Sequence, residues 1–271
     1  MKKIILALAI ALPGAAFAQL SDSTQRVVRM QGTVNFRDVG GYKTTDGKQV
    51  VWGKVFRSAD VSHLTATDLQ VLEQKHIHTV IDFRGVKEAA VAPDHLLPHT
   101  DYLLCPAGSD SLPGAAQMGA IIRSGNFLET FYGNTQYLGA RYKPLFQKLL
   151  ILPASESIMY HCTGGRDRTG MATALFLYAL GVPQSTIEAD FTASNVYLLP
   201  MNAKMFKGMQ QSTGLDEETI RKALELKPEL LHSFFGAIKA KYGTVENFFE
   251  KELGIGEKER DLLRQKYTVS N

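Results

Sequence analysis

The sequence predicts an α/β fold: a central, mainly parallel sheet flanked by helices, with a helical insertion at the mouth of the sheet and a helical C-terminal third. Three observations carry this expectation. Runs rich in β-branched and aromatic residues, at Gln49 to Phe56, His78 to Phe83, Tyr102 to Cys105 and Ser157 to His161, read as strands. Helical patterns fall between them, and a β-α-β alternation implies parallel pairing. Beyond Pro183 the apolar spacing is almost wholly helical, through Asp190, Ala203, Arg221, Phe234, Phe248 and Leu262, which places helices against one side of the sheet.

In chain order, the first segment is Met1-Lys2-Lys3, an apolar run from Ile4 to Leu12, Pro13-Gly14 and then Ala16-Phe17-Ala18. This is the three-part layout of a secretory signal cleaved after Ala18, and its apolar run is too short and too broken to serve as a stable membrane anchor. The expectation is a signal peptide over 1–18, a catalytic domain over 19–271, and a mature protein in the periplasm or secreted. Without Lys2 and Lys3 the formal charge of +3 falls to +1, so nucleic acid and anionic membranes are not default partners. Only Cys105 and Cys162 are present, too few for a disulfide scaffold in an oxidising compartment, so each needs its own explanation.

Between the first two strand runs, Thr65 to Gln74 reads as a helix opened by a Thr65-x-x-Asp68 capping box. Gly114 to Leu150 carries Phe, Tyr and Leu at helical spacing, and this long insertion is read either as a lid over the sheet or as core. Arg168 to Leu180 is an apolar helix stopped by Gly181. His76-x-His78 is the nearest approach to a metal pair, and it has no cysteine or acidic company at ligand spacing, so no metal site is expected.

The chemistry is concentrated in His161-Cys162-Thr163-Gly164-Gly165-Arg166-Asp167-Arg168-Thr169-Gly170. A loop between a strand and a helix turns successive backbone N–H groups into a concave nest, and the positive end of the helix favours a dianionic phosphoryl group there. Cysteine in such a nest ionises readily, which makes Cys162 a nucleophile. The Arg168 fork suits two phosphoryl oxygens. Thr169 is placed to donate its hydroxyl to the thiolate, and His161 is read as fixing the loop rather than reacting. Thr163, Gly164, Gly165, Arg166 and Gly170 complete the phosphate-binding set. Arg37, Asp38, Arg57, Asp82 and Arg84 form a second group of charges, read as a brace beneath the loop.

This loop resembles the signature of the protein tyrosine phosphatase superfamily, in particular its bacterial tyrosine-phosphatase-like branch with a Gly-Lys-Asp-Arg-Thr-Gly type loop. Asn35-Phe36-Arg37-Asp38-Val39-Gly40-Gly41-Tyr42, Phe56-Arg57-Ser58-Ala59-Asp60, Val80-Ile81-Asp82-Phe83-Arg84 and Tyr242-Gly243-Thr244 to Leu253-Gly254 are similar to the same branch, so the likeness spans most of 32–268. It implies a tyrosine-phosphatase-like fold, a phosphocysteine intermediate and no metal or other cofactor. It implies activity on phosphotyrosine that extends to phosphoserine, phosphothreonine and phosphoinositides, with inorganic phosphate as product. It also implies that the aspartate inside the loop, Asp167, is the general acid, with Asp110 in the Pro106-Ala107-Gly108-Ser109-Asp110 loop as the competing candidate. Where the branch carries lysine before that aspartate this chain has Arg166, which keeps the charge but not the head group that the branch uses toward a second phosphate. Two other readings stand beside this one: an inositol-phosphate phosphatase, and a phosphate-recognition protein without turnover. With Cys105 ending a strand expected beside that of Cys162, an oxidative disulfide between them is a further expectation.

Overall fold

The computed structural model describes residues 23–110 and 115–270, so the expected signal segment lies outside the described residues. A five-stranded sheet runs in the order β1-β3-β6-β4-β5, from β1 (Arg37–Asp38), β3 (Val55–Ser58), β4 (Ile77–Asp82), β5 (Asp101–Leu104) and β6 (Ser157–His161). All pairs are parallel except the edge pair β1–β3. A separate two-stranded sheet joins β2 (Gln49–Val50) to β7 (Thr268–Val269).

The run Gln49 to Phe56 is therefore not one strand. Val50, Val51 and Trp52 carry β propensity throughout, but Gly53 takes φ +74° and turns the chain between β2 and β3. The helix after it, α2 (Ala66–Gln74), follows a short α1 (Ser23–Arg26) and has the expected reciprocal cap between Thr65 and Asp68. Alternation along the strands serves two faces: Ile158 and Tyr160 enter the larger core, while Met159 enters a second cluster with Phe36, Phe56, Leu72 and Val80.

The insertion divides by role. After α3 (Val86–Val91) come α4 (Ala115–Ser124), α5 (Phe127–Gly133) and α6 (Leu138–Ile151). Helix α6 is core, burying Leu138, Tyr142, Leu145, Phe146 and Leu149 against the sheet. Helix α7 (Asp167–Ala179) is buried on nearly every face from Arg168 to Leu177 and is stopped at Gly181, φ +79°. It is followed by α8 (Gln184–Tyr197), α9 (Leu199–Thr213), α10 (Glu217–Leu224), α11 (Pro228–Tyr242), α12 (Val245–Phe248), a π-helical turn (Phe249–Leu253) and α13 (Glu257–Tyr267). Helices α11 to α13 join the main core, whereas α4 meets α9 and α10 in a small separate cluster of Ile122, Phe206, Ile220 and Leu224. Helix α11 packs on α5, α7 and α8 and α13 on α6 and α7, so these helices join the core through other helices, while α9 and α10 stand apart with α4.

Candidate active site

Strand β6 delivers Cys162 to the C-terminal edge of the sheet, and α7 starts five residues later at Asp167. What shapes the loop between them is the fate of its carbonyls. Thr163 O accepts from Asp60 N at 2.9 Å, Gly164 O and Gly165 O accept from Asn35 Nδ2 at 3.1 and 2.9 Å, and Gly165 O also accepts from Arg57 Nη2 at 2.8 Å. A planar trans peptide points its N–H opposite to its C=O, so carbonyls anchored behind the loop turn the amides into its concavity. Gly165 has no alternative: its φ is +59°, and a Cβ there would come within 2.1 Å of Ser58 O.

Cys162 lies at the floor of this loop, 2 % exposed. Burial alone would raise its pKa; the Arg168 guanidinium and the hydroxyl and amide of Thr169 outweigh that and bring it below the ordinary thiol value. The Thr169 hydroxyl is buried beside the sulfur with no other partner. Arg168 is held by a residue that sequence reasoning missed. Glu88, at the third position of α3, accepts from Nη1 at 2.6 Å and Nη2 at 3.0 Å, while Nη1 also reaches Phe83 O at 3.1 Å and Nη2 reaches Thr163 Oγ1 at 3.4 Å. The fifth donor, Nε–H, makes none of these contacts. Burial raises the Glu88 carboxyl, but Arg168, the Gly85 amide and the Thr163 hydroxyl bring it down to about 2. The one sequence cue to Glu88 was an acid three residues past Gly85, at a helix start just beyond a strand end.

The two aspartates proposed as acids part company. Asp167 stands at the mouth of the loop, its Oδ1 accepting from the buried Tyr132 hydroxyl at 2.9 Å and its Oδ2 from Arg166 Nε at 3.0 Å. Asp110 instead accepts from the backbone N–H groups of Val86 and Lys87, at 3.1 and 3.2 Å, and so caps α3. Its loop is pinned by Arg141, which donates to Ala107 O at 3.0 and 2.7 Å. Arg166 is held on two sides: besides Asp167 it donates to Leu224 O at 2.8 Å, tying the loop to α10. Gly170, one turn into α7, packs on Phe191 and does not line the nest.

The supposed single brace is two buried networks and one outlier. Arg37 and Arg57 converge on Asp190 of α8, at 3.1 and 2.5 Å, with Tyr42 donating to the same carboxylate at 3.0 Å. Burial would raise Asp190, yet the two guanidinium groups hold it well below the usual carboxylate range. On the other side Arg84 binds Asp82, Asp94 and Asp60, and His161 Nε2 meets Asp94 Oδ2 at 2.8 Å. Burial opposes the charged ring of His161, but Asp94 and Asp82 prevail and its pKa is raised. Asp38 belongs to neither network. It accepts from Gly40 N and Gly53 N at 2.8 and 2.6 Å and braces the turn that leads into β3.

Cys105 is not on a strand adjacent to β6. Its strand, β5, pairs with β4, and the ladder continues past the strand ends through Cys105 N to Asp82 O and Phe83 N to His161 O. Phe83 therefore lies between the two cysteines. Two strand spacings, about 9–10 Å, exceed the roughly 7 Å that a disulfide spans between Cα atoms without backbone movement.

A sequence pattern of the tyrosine phosphatase family matches residues 28–269. The chain belongs to the tyrosine phosphatase family. Its relatives include a Cupriavidus necator protein assigned as a tyrosine-protein phosphatase, 27 % identical over 227 residues and covering 82 % of each chain. The triple specificity protein phosphatase PtpB of Mycobacterium tuberculosis is 26 % identical over 274 residues, covering 88 % of this chain and 98 % of its own. A tyrosine-protein phosphatase of Nostoc commune is 26 % identical over 218 residues, covering 77 % and 72 %. As a tyrosine-phosphatase-type hydrolase, this chain presents a thiol, a guanidinium and a carboxyl around one loop.

Proposed function

We propose that this phosphatase is an exported enzyme that hydrolyses phosphate monoesters on proteins, phosphotyrosine first and phosphoserine or phosphothreonine next, through a phosphocysteine intermediate. The observation that carries the reading is Cys162, with its lowered pKa, beside Arg168 and the Thr169 hydroxyl in a loop whose Thr163, Gly164 and Gly165 carbonyls are anchored behind it. The thiolate attacks phosphorus and the P–O bond to the leaving group breaks. Asp167 gives its proton to that oxygen, and water then attacks the phosphocysteine, releasing inorganic phosphate and the thiolate. Arg168 and the loop amides bear the charge that accumulates on the equatorial oxygens.

Protein substrates are favoured over inositol phosphates by the cavity of about 260 Å3 beside Arg166. Its walls include Leu199, Phe206 and Leu224, and its two arginines, Arg166 and Arg221, face two glutamates, Glu217 and Glu225. That balance offers an aryl or peptide group apolar contact but gives a polyphosphate no excess of cations. Arg166, tied to Asp167 and Leu224, is not extended toward a second phosphate, so phosphoinositides rank below phosphoproteins.

Phosphate release is measured from phosphotyrosine and phosphoserine peptides, phosphoinositide vesicles and inositol hexakisphosphate. The phosphotyrosine peptide is expected to lead, and Cys162→Ser to lower every rate by at least about 10³-fold. Metal-free turnover by Cys162→Ser would overturn the mechanism; faster turnover of the inositol hexakisphosphate would overturn the substrate class. Peptide binding by wild type with no phosphate released would instead favour a recognition protein. Export is checked by N-terminal sequencing of protein from the extracytoplasmic fraction, with Gln19 expected first.

A further inference from the structure

At the end of β4 remote from the catalytic loop, three metal-ligating side chains converge. Glu73 comes from the last turn of α2, His78 from the start of β4 and His99 from the segment before β5. One donor atom from each lies within 4.8 Å of the others, and His99 Nε2 is 3.4 Å from Glu73 Oε2. Donors at about 2.0–2.2 Å around a tetrahedral ion stand roughly 3.3–3.6 Å apart, and the centroids of two imidazoles on one such ion roughly 5 Å apart. The His78 and His99 rings are 5.2 Å apart.

The backbone supports the same reading independently. Ile77 pairs with Ser157 and Thr79 with Ile158, so the ladder to β6 skips His78. A bulge of this kind re-aims the side chain it carries. Among the described residues His78 Nε2 has no hydrogen-bond partner and is closed off from solvent, and Nδ1 stands 3.8 Å from Glu156 Oε1. The nearby Lys148 is paired with Asp101 and brings no unbalanced positive charge. A cavity of about 400 Å3 borders His78, His99 and Glu156 and leaves room for an ion with its remaining waters.

We propose that Glu73, His78 and His99 form a binding site for a divalent transition-metal cation of the zinc class, with water as the remaining ligand and Glu156 beside the His78 ring. The donor set of two imidazoles and one carboxylate selects borderline cations over calcium or magnesium. The ion would bridge α2, β4 and the approach to β5, a structural role separate from catalysis.

The test uses the full chain carrying Cys162→Ser, because the catalytic thiolate is itself a zinc ligand. Zinc chloride added to this protein is expected to bind at one site in calorimetry and to raise Tm by several degrees at saturation. Cobalt(II) in its place should give the visible d–d bands of a tetrahedral N/O site. His99→Ala and Glu73→Gln, both at exposed positions, should each weaken zinc binding at least 10-fold while leaving the metal-free Tm unchanged. In the wild-type background, His99→Ala should keep full phosphatase activity in the presence of a chelator. Unchanged Tm of Cys162→Ser with zinc, or equal zinc binding by His99→Ala, would overturn the proposal.

Discussion

The loop that holds Cys162 is gripped differently from behind and in front. Behind it, Arg37, Arg57 and Asp190 are at most 1 % exposed, and each pairs with groups that water does not reach. In front, Arg166, Asp167 and Glu88 are 15, 25 and 34 % exposed, and their contacts lie within reach of solvent. Removing one partner from the rear leaves an unpaired buried charge, whereas a front group parted from its partner is met by water. Rigidity is thus assigned to one side of the loop and chemistry to the other.

The comparison breaks most visibly at Asp190. Asp190→Asn is expected to destabilise the protein by about 3–5 kcal/mol at pH 7, measured by urea unfolding. Because its folded carboxyl lies below the unfolded value, the stability it contributes is present above about pH 4 and is lost as pH falls through the folded value. The gap between wild type and variant should therefore close in acid; a constant gap would mean that packing rather than charge holds the rear. Next in size, Arg168→Lys should lower kcat about 10²–10³-fold with unfolding little changed, since lysine keeps the charge but lacks the fork. A large fall in stability would place Arg168 with the rear network.

Tyr132→Phe tests the front at finer scale. It removes one hydrogen bond to Asp167 and should cost about 10-fold in kcat for alkyl phosphates and less for p-nitrophenyl phosphate, with KM little altered. An equal loss on both substrates would mean that Tyr132 does not position the acid. The smallest effect is expected at Thr169: alkylation of wild-type Cys162 should show its inflection below the ordinary thiol value of about 8.5, and Thr169→Val should move it upward. An inflection that stays in place would leave Arg168 and the amides as the whole cause.

What the sequence made legible follows the same division. The nucleophile, the guanidinium and the helix start are local, packed into Cys162 to Gly170, and strand-loop-helix order is enough to give them roles. Their partners arrive from far along the chain: Asn35 from 129 residues before Gly164, Tyr132 from 35 before Asp167, Glu88 from 80 before Arg168. No spacing rule reaches that far. Asp190 was visible only as one residue of a helix, and its pairing with both arginines depends on where α8 crosses the sheet. The backbone contacts of Asp110 and Asp38 were not legible, because a carboxylate in a loop looks the same whether it faces a ligand or caps a backbone N–H. The run Gln49 to Phe56 misled for a simpler reason: β propensity continues across Gly53, while the backbone does not.

Phe83, set between Cys105 and Cys162 in the ladder, gives the enzyme a chemical asymmetry. Burial beside Asp82 pushes the Cys105 thiol up to about 12, so it is both out of reach and poorly nucleophilic. An oxidised Cys162 consequently has no neighbouring sulfur to rescue it as a disulfide, and a sulfenic acid formed there is left to a backbone nitrogen or to a second equivalent of oxidant. Recovery of an oxidised Cys162 then depends on how fast small-molecule reductants reach the floor of its loop.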